Sequence, residues 1–175
     1  LVRHNQRMRK VSIKKNVGYG YGVRKGIETS KGEYVGWLDA DNQVNVKFVV
    51  DVFCKIKNSG FDIVAAKRIT RNDGVTRRVA SLFYNYVVAL LFFTRMDDTN
   101  AKPKIFKKKA YMDAKIVSND WFIDTELLLK FKARNYSVAR VECISKERAH
   151  GASNVKIGTV LEFVKNIILF RAGLR

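Results

Sequence analysis

The chain has 175 residues, of which 47% are hydrophobic and 11% aromatic, with a single proline. This composition excludes a disordered, collagen-like or proline-rich protein, and a chain of this length can bury roughly 70% of the surface of its unfolded form. Lysine and arginine number 34 against 16 aspartate and glutamate residues, which gives a formal net charge of +18. Such an excess predicts an anionic partner, and nucleic acid, a membrane surface and phosphorylated substrates are the candidate classes.

The amino-terminal part predicts a short strand, a glycine-rich loop and a helix. Val11 and Ile13 alternate with polar residues, as in a strand. A cluster of glycines follows at Gly18, Gly20, Gly22 and Gly26. Their spacing matches neither the dinucleotide-binding fingerprint nor the P-loop. They predict either a loop whose backbone approaches a ligand at the start of a helix over 21–30, or a tight loop against which that helix packs.

The next segments alternate between strand and helix. Residues 34–38 form an apolar run bounded by glycine and acidic residues, which predicts a buried strand. Apolar residues recur at helical spacing over 45–58, and residues 62–66 begin another strand. A strand, a helix and a strand at this spacing form a βαβ unit, which predicts an α/β fold with a mostly parallel sheet.

The remaining sequence predicts three further helices and one strand. The apolar run within a helix over 79–93 is well short of the roughly 20 residues that span a bilayer. A lysine-rich stretch over 102–109 precedes a helix over 121–133 and a strand over 137–144. The pattern over 158–175 predicts an amphipathic C-terminal helix. No repeat or linker divides the sequence, so the whole chain is predicted to form one domain.

A pair of carboxylates follows the first predicted buried strand. Asp39 and Asp41 flank Ala40, and Gln43 lies two residues further on. At the end of a strand in a βαβ unit, both carboxylates are expected to face the crevice in which α/β sheets bind ligands. Oxygen ligands of this kind suit Mg²⁺ or Mn²⁺, which neutralises a bound diphosphate. The competing interpretation is a solvated turn that caps the next helix.

Other polar residues are predicted to lie near the same crevice. Arg68 ends the second strand, and Arg148 follows the last strand in the sequence Arg148-x-x-Gly151-x-Ser153. Beside a metal site, two arginines would bind phosphate oxygens with bidentate geometry, although each alone would be a surface cation. Asp124 begins a helix, where it would act as a cap or, facing the crevice, would orient or deprotonate an acceptor.

These motifs occur in an order that is far more specific than any one of them. The ordered set comprises the Asn16–Gly26 loop, Gly32-Glu33-Tyr34, Asp39–Gln43, Arg68, Asp98–Phe106, Asp124–Leu128 and Arg148–Ser153. The set resembles glycosyltransferase family two, and within it the dolichyl- or polyprenyl-phosphate sugar transferases. The resemblance covers nearly all of residues 1–175 and implies a single glycosyltransferase domain with a GT-A (Rossmann-like) fold.

The resemblance implies a metal-dependent hexosyltransferase that uses a nucleotide-sugar donor, with mannose or glucose as the first candidate sugars. The donor-binding residues that it implies are Asp39, Ala40, Asp41, Arg68 and Arg148. The implied ligands of Mg²⁺ or Mn²⁺ are Asp39, Asp41 and Gln43.

On the acceptor side, the resemblance implies a polyprenyl or dolichyl phosphate. Arg78, or its neighbour Arg77, and Ser153 match positions near the acceptor phosphate. Asp41 and Asp124 are the predicted catalytic residues. A phosphate nucleophile is already anionic, however, so this acceptor requires no strong base, whereas a saccharide hydroxyl would make Asp124 the first candidate for one.

The resemblance also implies that segments are missing at the start of the chain and that the protein lies at a membrane. The opening strand of the family and the acidic strand after it have no counterpart, so about two βα units are expected to precede Leu1. Asn154 stands where relatives often carry a lysine. Unless a C-terminal transmembrane pair follows Arg175 in a longer chain, the resemblance implies a cytoplasmic protein that is peripheral to the cytoplasmic face of a membrane. An anionic membrane surface is then a predicted partner and accounts for the net charge.

Other functions remain open on the sequence alone. A family-two transferase that acts on a saccharide hydroxyl is one alternative, and a catalytically silent remnant is another. A basic nucleic-acid-binding module without catalysis would account for the charge. No nucleic acid is expected as a partner, because no RRM, KH or helix-turn-helix signature is present and Asp39 and Asp41 would have no purpose in a polyanion groove.

Overall fold

The computed structural model describes residues 8–39, 44–70, 75–94, 98–144 and 157–173. Within them the chain forms six helices and four strands. In chain order these are α1 (Tyr19–Thr29), β1 (Tyr34–Trp37), α2 (Val46–Ser59), β2 (Ile63–Thr70), α3 (Val75–Phe92), β3 (Lys104–Lys107), α4 (Lys108–Ala114), α5 (Ile123–Ala133), β4 (Val138–Ile144) and α6 (Ile157–Arg171).

The four strands form one mixed sheet in the order β1-β3-β2-β4. Strand β3 is antiparallel to both β1 and β2, whereas β2 and β4 are parallel. Three strands therefore run in one direction, as predicted, and β3 runs against them. The carboxyl ends of β1, β2 and β4 and the amino end of β3 consequently lie at one edge of the sheet, which we call the carboxyl edge.

The reversed strand β3 is the part of the sheet that the sequence does not predict. The lysine-rich stretch around it suggests a solvated loop, yet the side chains of Lys104 and Phe106 are fully buried and Ile105 is nearly so. Strand β3 pairs with β1 on one side and β2 on the other, so it separates the two strands of the predicted βαβ unit.

The predicted strand around Val11 and Ile13 is wrong. Residues 8–18 form no helix or strand, and these two side chains are 42% and 41% exposed. Alternating apolar residues favour a strand only where one face can be buried, and here both side chains remain largely accessible to solvent.

Helices cover both faces of the sheet. On one face, Val52 and Ile56 of α2 pack against Val64 and Ile105. The opposite face carries the larger core, which involves Ile63 and Phe106 of the sheet together with residues of the other five helices. Neighbouring residues of one strand thus point to opposite faces, as the pleat requires. Helix α5 is the most deeply buried of the described helices, and even Asp124, Thr125 and Glu126 in its first turn are buried.

Residues at the opposite edge of the sheet are connected by hydrogen bonds around Asp62. Lys107 Nζ donates to Asp62 Oδ1 at 2.9 Å and to the carbonyl oxygen of Gly60 at 2.8 Å. The backbone N–H and the hydroxyl of Ser137 both donate to Asp62 Oδ2. Although burial raises the pKa of Asp62, the hydrogen bonds from Ser137 and Lys107 more than offset it, so the pKa lies below the ordinary value. These contacts fix β2, β3 and β4 in register at the edge farthest from the predicted site.

Candidate active site

Three segments of the chain converge at the carboxyl edge. Strand β1 leads into Asp39, β2 carries Arg68 near its end, and the segment over 98–103 leads into β3. Lys104, the first residue of β3, is paired with Trp37 at the end of β1 and with Ala65 of β2. The reversed direction of β3 thus brings the 98–103 segment to the strand ends that the sequence predicts as the site.

Two carboxylates and two lysines meet at this edge, and we call Asp39, Lys102, Lys104 and Asp124 the carboxylate–lysine cluster. Lys102 Nζ lies 3.2 Å from Asp39 Oδ2 and 3.5 Å from Asp124 Oδ2. Lys104 Nζ forms an ion pair with Asp124 Oδ1 and donates to the carbonyl oxygen of Ala101 at 2.9 Å. Each oxygen of Asp124 therefore faces an ammonium group.

The cluster extends from the interior to the surface. The side chains of Lys104 and Asp124 are 0% and 1% exposed, that of Lys102 is 7% exposed, and that of Asp39 is 40% exposed. Charged groups with so little exposure are stable only when they are paired and hydrogen-bonded. Asp39 is therefore the member of the cluster that a ligand in the crevice can reach.

The two lysines have opposite pKa shifts. Burial lowers the pKa of Lys104 to about 8, although Asp124 acts in the other direction. Burial also disfavours the charged form of Lys102, but Asp124, Tyr19 and Asp39 together more than offset it, so its pKa is raised. Lys102 is consequently a permanent cation at the carboxyl edge.

An aromatic pair lies beside the cluster. The ring of Tyr19, the first residue of α1, stacks on Trp121 with ring centroids 4.3 Å apart and planes 10° apart. The Tyr19 hydroxyl donates to Asp39 Oδ1 at 3.4 Å, and Lys102 Nζ lies 5.1 Å from the centre of the Tyr19 ring. Burial raises the pKa of Tyr19, so its hydroxyl stays protonated and remains a donor to Asp39. Trp121 itself remains 36% exposed.

Arg68 is held by an acidic residue of the 98–103 segment. Its backbone N–H and its Nε both donate to Asp98 Oδ2 at 2.9 Å, and Nη2 donates to Oδ1 at 2.5 Å. This bidentate pair joins the end of β2 to the segment that precedes β3, and it fixes the guanidinium at the carboxyl edge. The predicted contact of Arg68 with a donor phosphate stays a prediction.

The glycine cluster packs against the protein's own backbone. A Cβ atom at Gly18 would lie 2.3 Å from the carbonyl oxygen of Asn119, and one at Gly20 would lie 2.6 Å from that of Asp120. The N–H of Tyr21 donates to Asn119 O at 3.0 Å. Of the two interpretations, the structure therefore favours the packing loop. The close contacts are made at Gly18 and Gly20.

Glu126 fixes the loop on which α1 rests. Its buried carboxylate accepts hydrogen bonds from the backbone N–H groups of Val117 and Ser118. The same carboxylate forms an ion pair with Lys130. Arg24 donates to the carbonyl oxygen of Val117 at 2.6 Å from the side of α1. The start of α5 thus positions α1, and with it Tyr19, beside Asp39.

The structure describes only part of the predicted site. Asp39, Arg68 and Asp124 lie at the carboxyl edge, as predicted for a crevice there. Ala40, Asp41, Gln43, Arg148 and Ser153 lie outside the described residues, and Arg78 lies on α3 with its side chain outside them. Among the side chains that the structure describes, no three acidic, histidine or cysteine residues are grouped closely enough to hold a metal ion by themselves.

The lysines and aromatic residues of the site are not predicted from the sequence. Lys102 and Lys104 belong to a run of basic residues that is typical of a solvated surface, and Tyr19 lies in the glycine-rich loop. One available signal is the alternation of Lys102, Lys104 and Phe106, which is consistent with one face of a strand. Another is Asp124 in the first turn of a helix that also carries the apolar residues Leu127, Leu128, Leu129 and Phe131.

Comparison with protein families gives one match, to the model described as "Glycosyl transferase family 2", over residues 1–117. A curated relative from Aeromonas hydrophila, undecaprenyl-phosphate 4-deoxy-4-formamido-L-arabinose transferase, is 25% identical over 158 residues, which cover 90% of this chain and 47% of the relative. Dodecaprenyl-phosphate galacturonate synthase from Rhizobium johnstonii is 22% identical over 111 residues, which cover 63% of this chain and 33% of that protein. The chain thus spans less than half the length of these relatives.

Solved structures of a glycosyltransferase share the fold. Glucosyl-3-phosphoglycerate synthase from Mycobacterium tuberculosis, in complex with Mn²⁺, UDP and glucosyl-3-phosphoglycerate, superposes with a TM-score of 0.72 at 16% identity. The match covers 93% of this chain and 57% of the synthase. The same synthase with Mg²⁺ and UDP gives a TM-score of 0.71 at 15% identity. These likenesses confirm the GT-A fold that the sequence predicts.

Proposed function

This chain belongs to glycosyl transferase family 2, and we propose on that basis that it transfers a sugar from a nucleotide-linked donor to a polyprenyl or dolichyl phosphate. The observation that carries the proposal is the convergence of Asp39, Arg68 and the carboxylate–lysine cluster at the carboxyl edge, where α/β sheets bind ligands. The names of both curated relatives supply the class of acceptor. The first candidate sugars are the hexoses mannose and glucose.

The donor would bind through its phosphates. Asp39 offers a half-exposed carboxylate, the type of oxygen ligand that Mg²⁺ and Mn²⁺ prefer, and Asp41 and Gln43 would complete the ligand set with it. The similar synthase binds UDP together with either cation, which supports this assignment. Bound there, the cation would stabilise the negative charge on the leaving nucleoside diphosphate. Arg68 and Arg148 would contact the donor phosphates, and Ala40 would lie against the donor.

The proposed reaction is a substitution at the anomeric carbon of the sugar. An oxygen of the lipid phosphate forms a new bond to that carbon, and the bond from the carbon to the nucleoside diphosphate breaks. The leaving diphosphate carries away the electron pair, and no proton has to be removed from an ionised phosphate. Arg78 and Ser153 would position the acceptor phosphate.

The surroundings of Asp124 favour a phosphate acceptor over a saccharide hydroxyl. A hydroxyl acceptor requires a general base with an accessible oxygen. Asp124 is 1% exposed, and its two oxygens face Lys104 and Lys102. We therefore propose that Asp124 holds the two lysines in position and does not accept a proton from the acceptor.

A membrane surface is the proposed location of the lipid acceptor. No helix among the described residues is long and apolar enough to cross a membrane. Helix α3 and the residue after it nevertheless expose a stripe of large apolar side chains: Val79, Leu82, Phe83, Tyr86, Leu90 and Phe93. A net charge of +18 complements anionic headgroups, and attachment at the cytoplasmic face of such a membrane would place the stripe among the lipids.

A transfer assay on vesicles tests the proposal. The full-length protein is incubated with UDP- and GDP-linked labelled hexoses and with vesicles that contain either undecaprenyl phosphate or undecaprenol. We expect label to enter the lipid phase only with the phosphate, faster on anionic than on neutral vesicles, with the rate falling as salt is added. Asp41→Ala is expected to abolish transfer. Transfer to undecaprenol, or only to an added saccharide, would contradict the proposed acceptor.

A further inference from the structure

We propose that Lys102 is a donor-site residue whose ammonium group serves as a resident cation, so that a nucleoside diphosphate binds to this protein without a divalent metal ion. The inference rests on the proposed function, because it concerns the same donor site. It assigns to one side chain part of the charge neutralisation that a metal ion would provide.

The position of Lys102 carries the inference. Its Nζ lies 3.2 Å from Asp39 Oδ2, closer than the 3.5 Å to Asp124 Oδ2. The Lys102 side chain is 7% exposed and that of Asp39 is 40% exposed, so the ammonium group lies deeper than the carboxylate that a ligand would meet. A cation in this place acts on the crevice through a medium of low dielectric, where its field is weakly screened.

The charges within the cluster explain why a nucleoside diphosphate is expected to bind without a metal ion. Asp39 and Asp124 carry one negative charge each, and together they would repel an anionic donor. Lys102 and Lys104 carry one positive charge each, so the cluster is neutral before any metal binds. In a carboxylate site without such lysines, the metal has to neutralise the carboxylates before a diphosphate can approach them. Here Lys102 already offsets the charge of Asp39, and of the proposed ligands only Asp41 adds a further negative charge to this balance.

Neither carboxylate of the cluster requires Lys102 as its counter-ion. Asp124 is already paired with Lys104, which also donates to Ala101. Asp39, with 40% of its side chain exposed, is well enough solvated to need no buried counter-ion. Burying a second ammonium group here costs desolvation, which its contacts with Asp39 and Asp124 offset, and it places a positive charge 3.2 Å from the more exposed carboxylate of the cluster.

Calorimetric titration of the full-length protein with UDP and GDP, in EDTA and in saturating Mn²⁺, tests the inference. Lys102→Met removes the charge and keeps the length of the side chain. Lys102→Gln is a second neutral variant, and thermal melting identifies any variant that fails to fold. Lys107→Met is the matched control, because Lys107 stands at the other end of β3 and also forms an ion pair, with Asp62 at 2.9 Å.

For the wild type, we expect removal of the metal to weaken nucleotide binding by less than about fivefold. For folded Lys102→Met, we expect the same treatment to weaken nucleotide binding by about tenfold or more. The control is expected to behave as the wild type does. If wild-type binding is lost in EDTA, or if a neutral variant at position 102 responds to metal as the wild type does, the inference is overturned while the donor site stands. If the wild type binds neither nucleotide even with Mn²⁺, the proposed function fails as well.

Discussion

Replacing Asp124 by asparagine is expected to lower the free energy of unfolding by about 3–5 kcal/mol, because it leaves buried ammonium groups without their counter-ion. Most of this loss of stability is expected to come from Lys104, which has no exposed surface and is paired with Asp124 Oδ1. Denaturant unfolding at neutral pH measures the effect. A change of this size would identify Asp124 as a residue that the fold itself requires.

The destabilisation is also expected to depend on pH. With Asp124 present, burial lowers the pKa of Lys104 to about 8 from an ordinary value of 10.5, and removal of the carboxylate lowers it further. At neutral pH the folded variant must release a proton that the unfolded chain retains, which costs stability. Because Lys104 of the folded wild type loses its proton as pH rises through about 8, its contribution to the difference between wild type and variant should shrink from neutral pH to about pH 9 and stay small above it.

Asp113→Asn provides the control for these measurements. Asp113 is 58% exposed and lies 3.4 Å from Arg134, so its loss is expected to change stability by no more than about 1 kcal/mol. If Asp124→Asn were no more destabilising than this variant, the cluster would not be the buried ion network that the structure describes. Asp124 would then again be a candidate for a role in the chemistry alone.

Gly36→Ala is expected to destabilise the protein by about 3 kcal/mol or more, because the new methyl group would overlap the neighbouring strand. A Cβ atom at Gly36 would lie 2.1 Å from the carbonyl oxygen of Lys104 and 3.1 Å from the Cα of Ile105. Both atoms belong to the backbone of β3, which is held by a strand on each side. Because β1 leads directly into Asp39, nucleotide binding should weaken together with stability.

Gly26→Ala is the matched control for this substitution. Gly26 lies within α1, and a Cβ atom there would meet nothing within 4 Å. Alanine is favoured over glycine inside a helix, so this variant is expected to be more stable by about 0.5–1 kcal/mol. Denaturant unfolding measures the stability of both variants: Gly36→Ala reports the steric clash, and Gly26→Ala reports the change in helix propensity. A loss below about 1 kcal/mol for Gly36→Ala would contradict the close approach of β1 and β3.

The order of the fold was predictable wherever apolar residues recur with a clear period. The run over 34–38 and the helical spacing over 45–58 correspond to β1 and α2. Strand β3 was not predictable in this way, because two of its four residues are lysines. Lys104 is buried only because Asp124, twenty residues further along the chain, supplies a counter-ion, and that partnership depends on the tertiary structure.

The candidate site was predictable to a smaller extent. A carboxylate directly after a predicted strand indicated where Asp39 would lie, because the carboxyl ends of parallel strands meet at one edge. The roles of Lys102 and Tyr19 depend on distances across the fold to Asp39 and Asp124. The glycine loop illustrates the same limit, since its closest contacts are with the backbone over 118–120.

Hydrogen–deuterium exchange of the full-length protein, with and without saturating UDP or GDP in Mn²⁺, most directly tests the central claim that a nucleoside diphosphate binds at the carboxyl edge. We expect one of the two nucleotides to slow exchange in peptides that follow β1, over 38–45, and in peptides at the end of β2, over 66–70. Peptides around Asp62, at the opposite edge of the sheet, should be unaffected. Protection confined to that opposite edge, or no protection by either nucleotide, would contradict the account.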